Sequence, residues 1–171
     1  MVNELYADVF QRVYGLNTIG LRYFNVFGPK QNPEGPYAAV IPLFIKSILS
    51  GKSPVINGDG SHSRDFTFVA NAVQANILAL DAPLNNYNTV YNVACGEQTN
   101  LNQLVKHMNE IAGCSVKPEF VKEREGDIKH SLADISKSIN VLGYAPEHLI
   151  EEGLRQTISW YRNNEKRASD R

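Results

Sequence analysis

The chain has 171 residues, with 17 Lys and Arg against 18 Asp and Glu, so its net charge is −1. That length suits one domain, and the balance of charge argues against a nucleic-acid partner, which selects a basic face. No apolar run approaches the roughly 18–20 residues of a membrane span, the first residues lack a signal-peptide layout, and two cysteines, Cys95 and Cys114, make neither a disulfide framework nor a zinc site. A reducing cytoplasm is the expected compartment, with no membrane and no metal.

Residues 2–14 carry Val2, Leu5, Tyr6, Val9, Phe10 and Val13 at helical spacing, and Gly15 supplies a stop. No side-chain cap precedes this stripe, so the chain is expected to be cut from a longer protein. Residues 18–27 form a nearly continuous apolar and aromatic run closed by Gly28-Pro29, the pattern of a parallel strand covered on both faces. Few parallel partners for it are evident downstream, which places its neighbours before residue 1. A Pro/Gly loop over 30–38 leads to a helix over 39–49, with Pro42 in its first turn. Val55-Ile56 and residues 65–69 read as short strands, and Asn57-Gly58-Asp59-Gly60-Ser61 between them as a hairpin turn.

A helix over 71–81 follows, with Val73, Ile77 and Leu80 on one face. Residues 90–94 form a strand closed by Gly96. Asn100 and Gln103 make a capping box for a helix striped by Leu101, Leu104, Val105, Met108 and Ile111. Residues 117–121 are a further strand. Asp134 caps a short helix through Leu142, and residues 151–163 form the last helix, with acidic residues at its positive end. The tail over 165–171 is expected to fray. Strands alternating with helices define an α/β class.

No complete catalytic constellation is visible. The sequence holds no Tyr-x-x-x-Lys, no Gly-x-Gly-x-x-Gly after a strand, no phosphate loop and no His-Glu-x-x-His. Arg64 and Arg124 are the candidate anion ligands, because a guanidinium fork matches phosphate oxygens. The alternative leaves them as surface charges paired with Asp65 and Glu125, which composition alone favours. Asp127, after a glycine, either accepts from ribose hydroxyls or bonds its own turn. Asn25 lies inside an apolar strand, where its amide either meets a ligand at the carboxyl edge of the sheet or ties down the next loop.

Four segments, taken in order, resemble a known family. Leu21-Arg22-Tyr23-Phe24-Asn25-Val26-Phe27-Gly28-Pro29 is similar to the segment after the catalytic helix of extended short-chain dehydrogenase/reductases. Tyr37-Ala38-Ala39-Val40-Ile41-Pro42, Gly58-Asp59-Gly60-Ser61-His62-Ser63-Arg64-Asp65-Phe66 and Arg124-Glu125-Gly126-Asp127-Ile128-Lys129-His130-Ser131 narrow the likeness. Together they resemble UDP-N-acetylglucosamine 4-epimerases, a group that also accepts UDP-glucose, over residues 2 to about 161.

The resemblance implies a C-terminal substrate-binding lobe over 29–171, preceded at 1–28 by the last helix and strand of a Rossmann-like sheet. It implies that Arg64 and Arg124 hold the UDP diphosphate, Asp127 the ribose, and Asn25 the diphosphate and sugar. Ala39 and Val40 would lie near the nucleotide and Tyr23 near the nicotinamide of NAD. Ser131 would line the sugar pocket, leaving room for an N-acetyl group. The glycine loop and the Tyr-x-x-x-Lys pair would precede residue 1, so the chain alone is expected to be inactive, and to associate, as a homodimer or by segment exchange. Two other readings remain: a standalone nucleotide-sugar-binding module, and a dehydratase or decarboxylase of the same superfamily.

Overall fold

The computed structural model describes residues 2–34, 39–83, 85 and 87–169, leaving out the side chains of 165–169. Tyr37 and Ala38 of the second motif, and Gly35 and Pro36 of the Pro/Gly loop, lie outside the described residues. The helices are α1 (Val2–Tyr14), α2 (Val40–Leu49), α3 (Val69–Leu80), α4 (Leu101–Ala112), α5 (Ser136–Leu142) and α6 (Ile150–Ser169). The strands are β1 (Ile19–Tyr23), β2 (Val26–Phe27), β3 (Val55–Asn57), β4 (Ser63–Arg64), β5 (Thr67–Phe68), β6 (Thr89–Val93), β7 (Thr99–Asn100) and β8 (Glu119–Val121).

The run over 18–27 does not form one strand. It breaks at Asn25, whose φ is +40°, a backbone region that Asn tolerates better than other side-chain-bearing residues. Two bonds hold the break: Asn25 Nδ2 donates to the Asp65 main-chain oxygen at 3.0 Å, and Thr67 N donates to the Asn25 oxygen at 3.3 Å. The chain thereby crosses from one sheet to the next. β1 pairs in parallel with β6, Ile19 opposite Thr89 through Tyr23 opposite Val93, and β2 pairs in parallel with β5. For this strand, for which few parallel partners are evident in the sequence, β6 supplies one within the chain, with α3 leading into it.

The hairpin between Val55 and residue 69 is also corrected. β3 pairs in parallel with β8, β4 pairs antiparallel with β7, and a parallel bridge joins Ser63 to His130. Segment 65–68 cannot fold back on β3, because the fully buried Asp65 ties it elsewhere. The carboxylate accepts from Cys95 N at 2.9 Å, Gly96 N at 3.0 Å and Ala133 N at 3.4 Å. The glycine-rich stretch instead joins two sheets, with Gly58 and Gly60 both at positive φ, where glycine carries no steric cost.

The main core packs α2, α4 and α6 around β2 and β5, with Phe27, Phe44, Ile45, Phe68, Leu104, Met108 and Leu154 buried within it. α4 starts with the expected box: Asn100 Oδ1 accepts from Gln103 N at 2.8 Å, and Gln103 Oε1 accepts from Asn100 N at 2.9 Å. Asp134 Oδ1 accepts from Ser136 N at 2.9 Å, so its turn precedes α5 rather than capping it as N-cap. α6 runs past the expected end, through Ser169.

α3 starts at Val69, two residues early, and its apolar face is exposed: Val73 is 52%, Ile77 54% and Leu80 80% accessible. The face that packs is Asn71, Ala72 and Ala75. Small residues win because they let the helix approach β6, and Asn71 is satisfied there by His148, donating to its oxygen at 2.7 Å and accepting from its N at 3.1 Å. α1 has no buried residue and reaches β1 through the Arg22–Glu4 pair, at 2.7 and 2.5 Å.

Candidate functional site

A groove of about 260 Å3 opens where β2 ends, α2 begins and the segment after β8 passes by. Asn25, Ala39, Val40, Arg64 and Asp127, five of the expected site residues, line it together with Asn57, His62 and Phe66. Three elements far apart in sequence thus meet at one place. Arg124, Ser131 and Tyr23 are not lining residues. Arg124 stands at the start of the turn that carries Asp127, closed by Asp127 N donating to the Arg124 oxygen at 3.5 Å, with Gly126 at φ +85°. Ser131 lies behind β4, its N donating to the Ser63 oxygen at 3.1 Å. Tyr23, half exposed, donates its hydroxyl to Asn76 Oδ1 at 3.0 Å, on the β1–α3 side of the molecule.

The electrostatics of the groove favour an anion. α2 enters with Ala39 extended at the N-cap position, where its side chain makes no capping bond. Its first N–H groups therefore point outward with the positive end of the helix dipole. Arg64 faces the same space. Its Nη1 donates to the Ser63 oxygen at 2.8 Å and the Lys129 oxygen at 3.2 Å. The expected alternative partner, Asp65, is turned away from it into the main-chain N–H cluster of Cys95, Gly96 and Ala133.

Sequence reading passed over Asp65 as a functional support. Burial pushes its carboxyl above the ordinary carboxylate range, against the opposing pull of the three N–H donors. A charged residue inside an apolar strand was the available signal. Beside it, burial and the Asp65 charge push the Cys95 thiol up to about 11. Burial, Cys95 and Asp65 raise Tyr144, whose hydroxyl donates to the Ala94 oxygen at 2.9 Å. His62 and His130 were also passed over. His62 Nε2 lies 3.1 Å from Glu123 Oε1, and Ser63 Oγ lies 2.9 Å from His130 Nδ1.

A second groove, of about 290 Å3, lies between α1 and the start of β1, around Glu4, Gly20, Arg22 and Val90; Tyr23 and the residues lining the first groove stand outside it. Among the described residues, no helix is long and apolar enough to cross a membrane.

The NAD dependent epimerase/dehydratase family model matches residues 1–94, more than half of the chain, and the chain belongs to that family. Its α/β fold is that of extended short-chain dehydrogenase/reductase epimerases. The structure is similar to that of a UDP-N-acetylglucosamine 4-epimerase from Methanobrevibacter ruminantium M1, solved with UDP-N-acetylmuramic acid. The TM-score is 0.88 and the identity 46%, over 94% of this chain and 51% of that one. It is also similar to the UDP-glucose 4-epimerase of Thermotoga maritima, solved with UDP-glucose, at TM-score 0.90 and 38% identity over 95% of this chain and 52% of that one. A putative UDP-glucose 4-epimerase of Methanocaldococcus jannaschii is 36% identical over 165 residues, covering 96% of this chain and 52% of that protein. Related dehydratases and decarboxylases are among the relatives. The chain spans about half the length of the curated relatives it matches.

Proposed function

We propose that this chain is the UDP-sugar-binding part of an NAD-dependent 4-epimerase acting on UDP-N-acetylglucosamine, UDP-glucose or both. The observation that carries the reading is the convergence of Asn25, Arg64, Asp127 and the uncapped start of α2 on one groove. In this reading Arg64 and the N–H groups at Ala39 and Val40 hold the diphosphate, with Arg124 swinging in from its turn. Asp127 accepts from the ribose hydroxyls, and Asn25 reaches the diphosphate and sugar. Ser131 bounds the sugar pocket, where a small side chain admits an N-acetyl group. Tyr23 lies toward the nicotinamide. Residues 1–28 belong to the Rossmann-like sheet and 29–171 to the substrate lobe, the two laced by β1 with β6 and β2 with β5.

The residues present do not fit NAD on their own. The sequence has no Gly-x-Gly-x-x-Gly after a strand, and Tyr23 is a half-exposed ring bonded to Asn76. No proton-transfer pair of the Tyr-x-x-x-Lys kind is present either. The chemistry this chain can perform is anchoring: strong, charge-assisted contacts at the diphosphate, leaving the sugar free to turn. The 171-residue chain alone is therefore inactive in epimerisation. It acts in a reducing compartment, the cytoplasm, and copies associate through the apolar faces of α1 and α3, as light scattering at high concentration would register.

Titration calorimetry with UDP, UMP and uridine tests the reading. Binding that strengthens with each phosphate supports it; equal weak binding of all three removes the diphosphate assignment. Turnover of UDP-N-acetylglucosamine by the purified chain would refute its inactivity.

A further inference from the structure

The groove has a mouth whose geometry depends on one exposed segment, residues 122–131, between β8 and the end of the fourth motif. Residues 123–130 are all exposed. The segment nevertheless carries Arg124 and Asp127, so the usefulness of both side chains depends on where it lies. Three consecutive residues grip it. His62 reaches its start, with Nε2 3.1 Å from Glu123 Oε1. Ser63 holds its end: Ser63 N donates to the Lys129 oxygen at 2.9 Å, Ser131 N donates to the Ser63 oxygen at 3.1 Å, and the Ser63 hydroxyl shares a 2.9 Å hydrogen bond with His130 Nδ1. Arg64 completes the grip through Lys129. Lys129 Nζ, 3.6 Å from Glu123 Oε1, joins the two ends to each other.

The alternation of a strand explains the division of labour. In an extended backbone His62 and Arg64 project to one side and Ser63 to the other. The first two line the groove, while Ser63 clasps the segment from behind. A turn whose closing main-chain bond, at Asp127 N, is 3.5 Å long has little rigidity of its own. The two histidine clasps add to the main-chain bonds of Ser63 in placing its ends.

Resting on the ligand reading above, we propose that Ser63 with His130, and His62 with Glu123, are positioning pairs that fix segment 122–131 across the groove. They set the grip of Arg124 and Asp127 on a nucleoside diphosphate. Neither Glu123 nor His130 lines the groove, so His130 reaches a ligand through the segment, and Glu123 through the segment or through His62, which does line it.

The test pairs a breaking with a conservative substitution at each clasp: His130→Leu with His130→Asn, and Glu123→Ala with Glu123→Gln. Trypsin cleavage after Lys122, Arg124 and Lys129 is followed by mass spectrometry, UDP affinity by calorimetry, and overall folding by melting temperature. His130→Leu and Glu123→Ala are each expected to speed cleavage and to weaken UDP by about tenfold, the worth of one such bond, with Asn and Gln restoring most of both. Melting temperature should change little for Glu123→Ala, since that side chain is 46% exposed, so this variant remains readable if His130→Leu fails to fold.

Unchanged cleavage and affinity in Glu123→Ala and His130→Leu overturn the proposal, as do Asn and Gln variants that behave like Leu and Ala. A wild-type chain that does not bind UDP defeats the ligand reading alone; the cleavage ratios then still decide whether the clasps position the segment.

Discussion

Arg64 donates to the main-chain oxygen of Lys129 at 3.2 Å, across 65 positions of sequence. One guanidinium therefore contributes both to the groove wall and to the seat of the segment opposite. Arg64→Ala is expected to weaken UDP binding by about 1.5–3 kcal/mol, the range for a hydrogen bond to a charged group. Arg124→Ala, which removes the second arginine of the proposed clamp, is expected in the same range. Calorimetry showing wild-type affinity in both would remove the diphosphate clamp.

The proposed sugar pocket offers a selectivity test. Replacing Ser131 with Tyr adds a ring where the proposal puts the N-acetyl group. Binding of UDP-N-acetylglucosamine should fall while UDP-glucose is spared, measured on the same preparation. Equal loss of both would show that position 131 is not the gate.

Packing gives a prediction independent of ligand. A Cβ at Gly153 of α6 would stand 2.7 Å from Phe27 Cζ and 2.9 Å from Phe68 Cδ2. Both rings are buried in the main core beneath the groove. Gly153→Ala should therefore destabilise by about 1–3 kcal/mol despite the better helix propensity of alanine. A melting temperature equal to or above wild type would contradict it.

The pH dependence follows from Cys95 and Tyr144. Both are raised in the folded state, Cys95 to about 11 against roughly 8.5 when unfolded. A raised group contributes stability below its unfolded value and loses it as pH climbs through the folded one. Stability is thus expected to decline between about pH 8.5 and 11, by on the order of 1–3 kcal/mol from the thiol. Chemical denaturation at stepped pH checks this, and Cys95→Ala should flatten the decline. An unchanged slope in that variant would remove the thiol's part.

Much of the architecture was legible because it rests on local signals. The Asn100–Gln103 box, Gly15 and the acidic start of α6 are written in neighbouring residues and were found where expected. The grouping of Asn25, Arg64 and Asp127 was reached through family likeness rather than spacing, since the three meet only by tertiary pairing. What sequence missed is equally physical. The pairing of β3 with β8 joins strands separated by four other strands and two helices, so no local turn chemistry announces it. Asp65 looked like a counter-ion for its neighbour, but three main-chain N–H groups distant in sequence hold its carboxylate instead. α3 was read by its larger apolar residues, whereas close approach to β6 selects Ala72 and Ala75.

α1 spans 13 residues, none buried, and leans on β1 through Arg22 and Glu4. A helix of that length is marginal in water without a packed face. Its amides should then exchange with solvent far ahead of those in α2 and α4, and slow down only when some surface closes over Leu5, Val9 and Phe10. That makes the first helix a built-in gauge: its protection factors read out, residue by residue, how completely the apolar stripe has been sheltered.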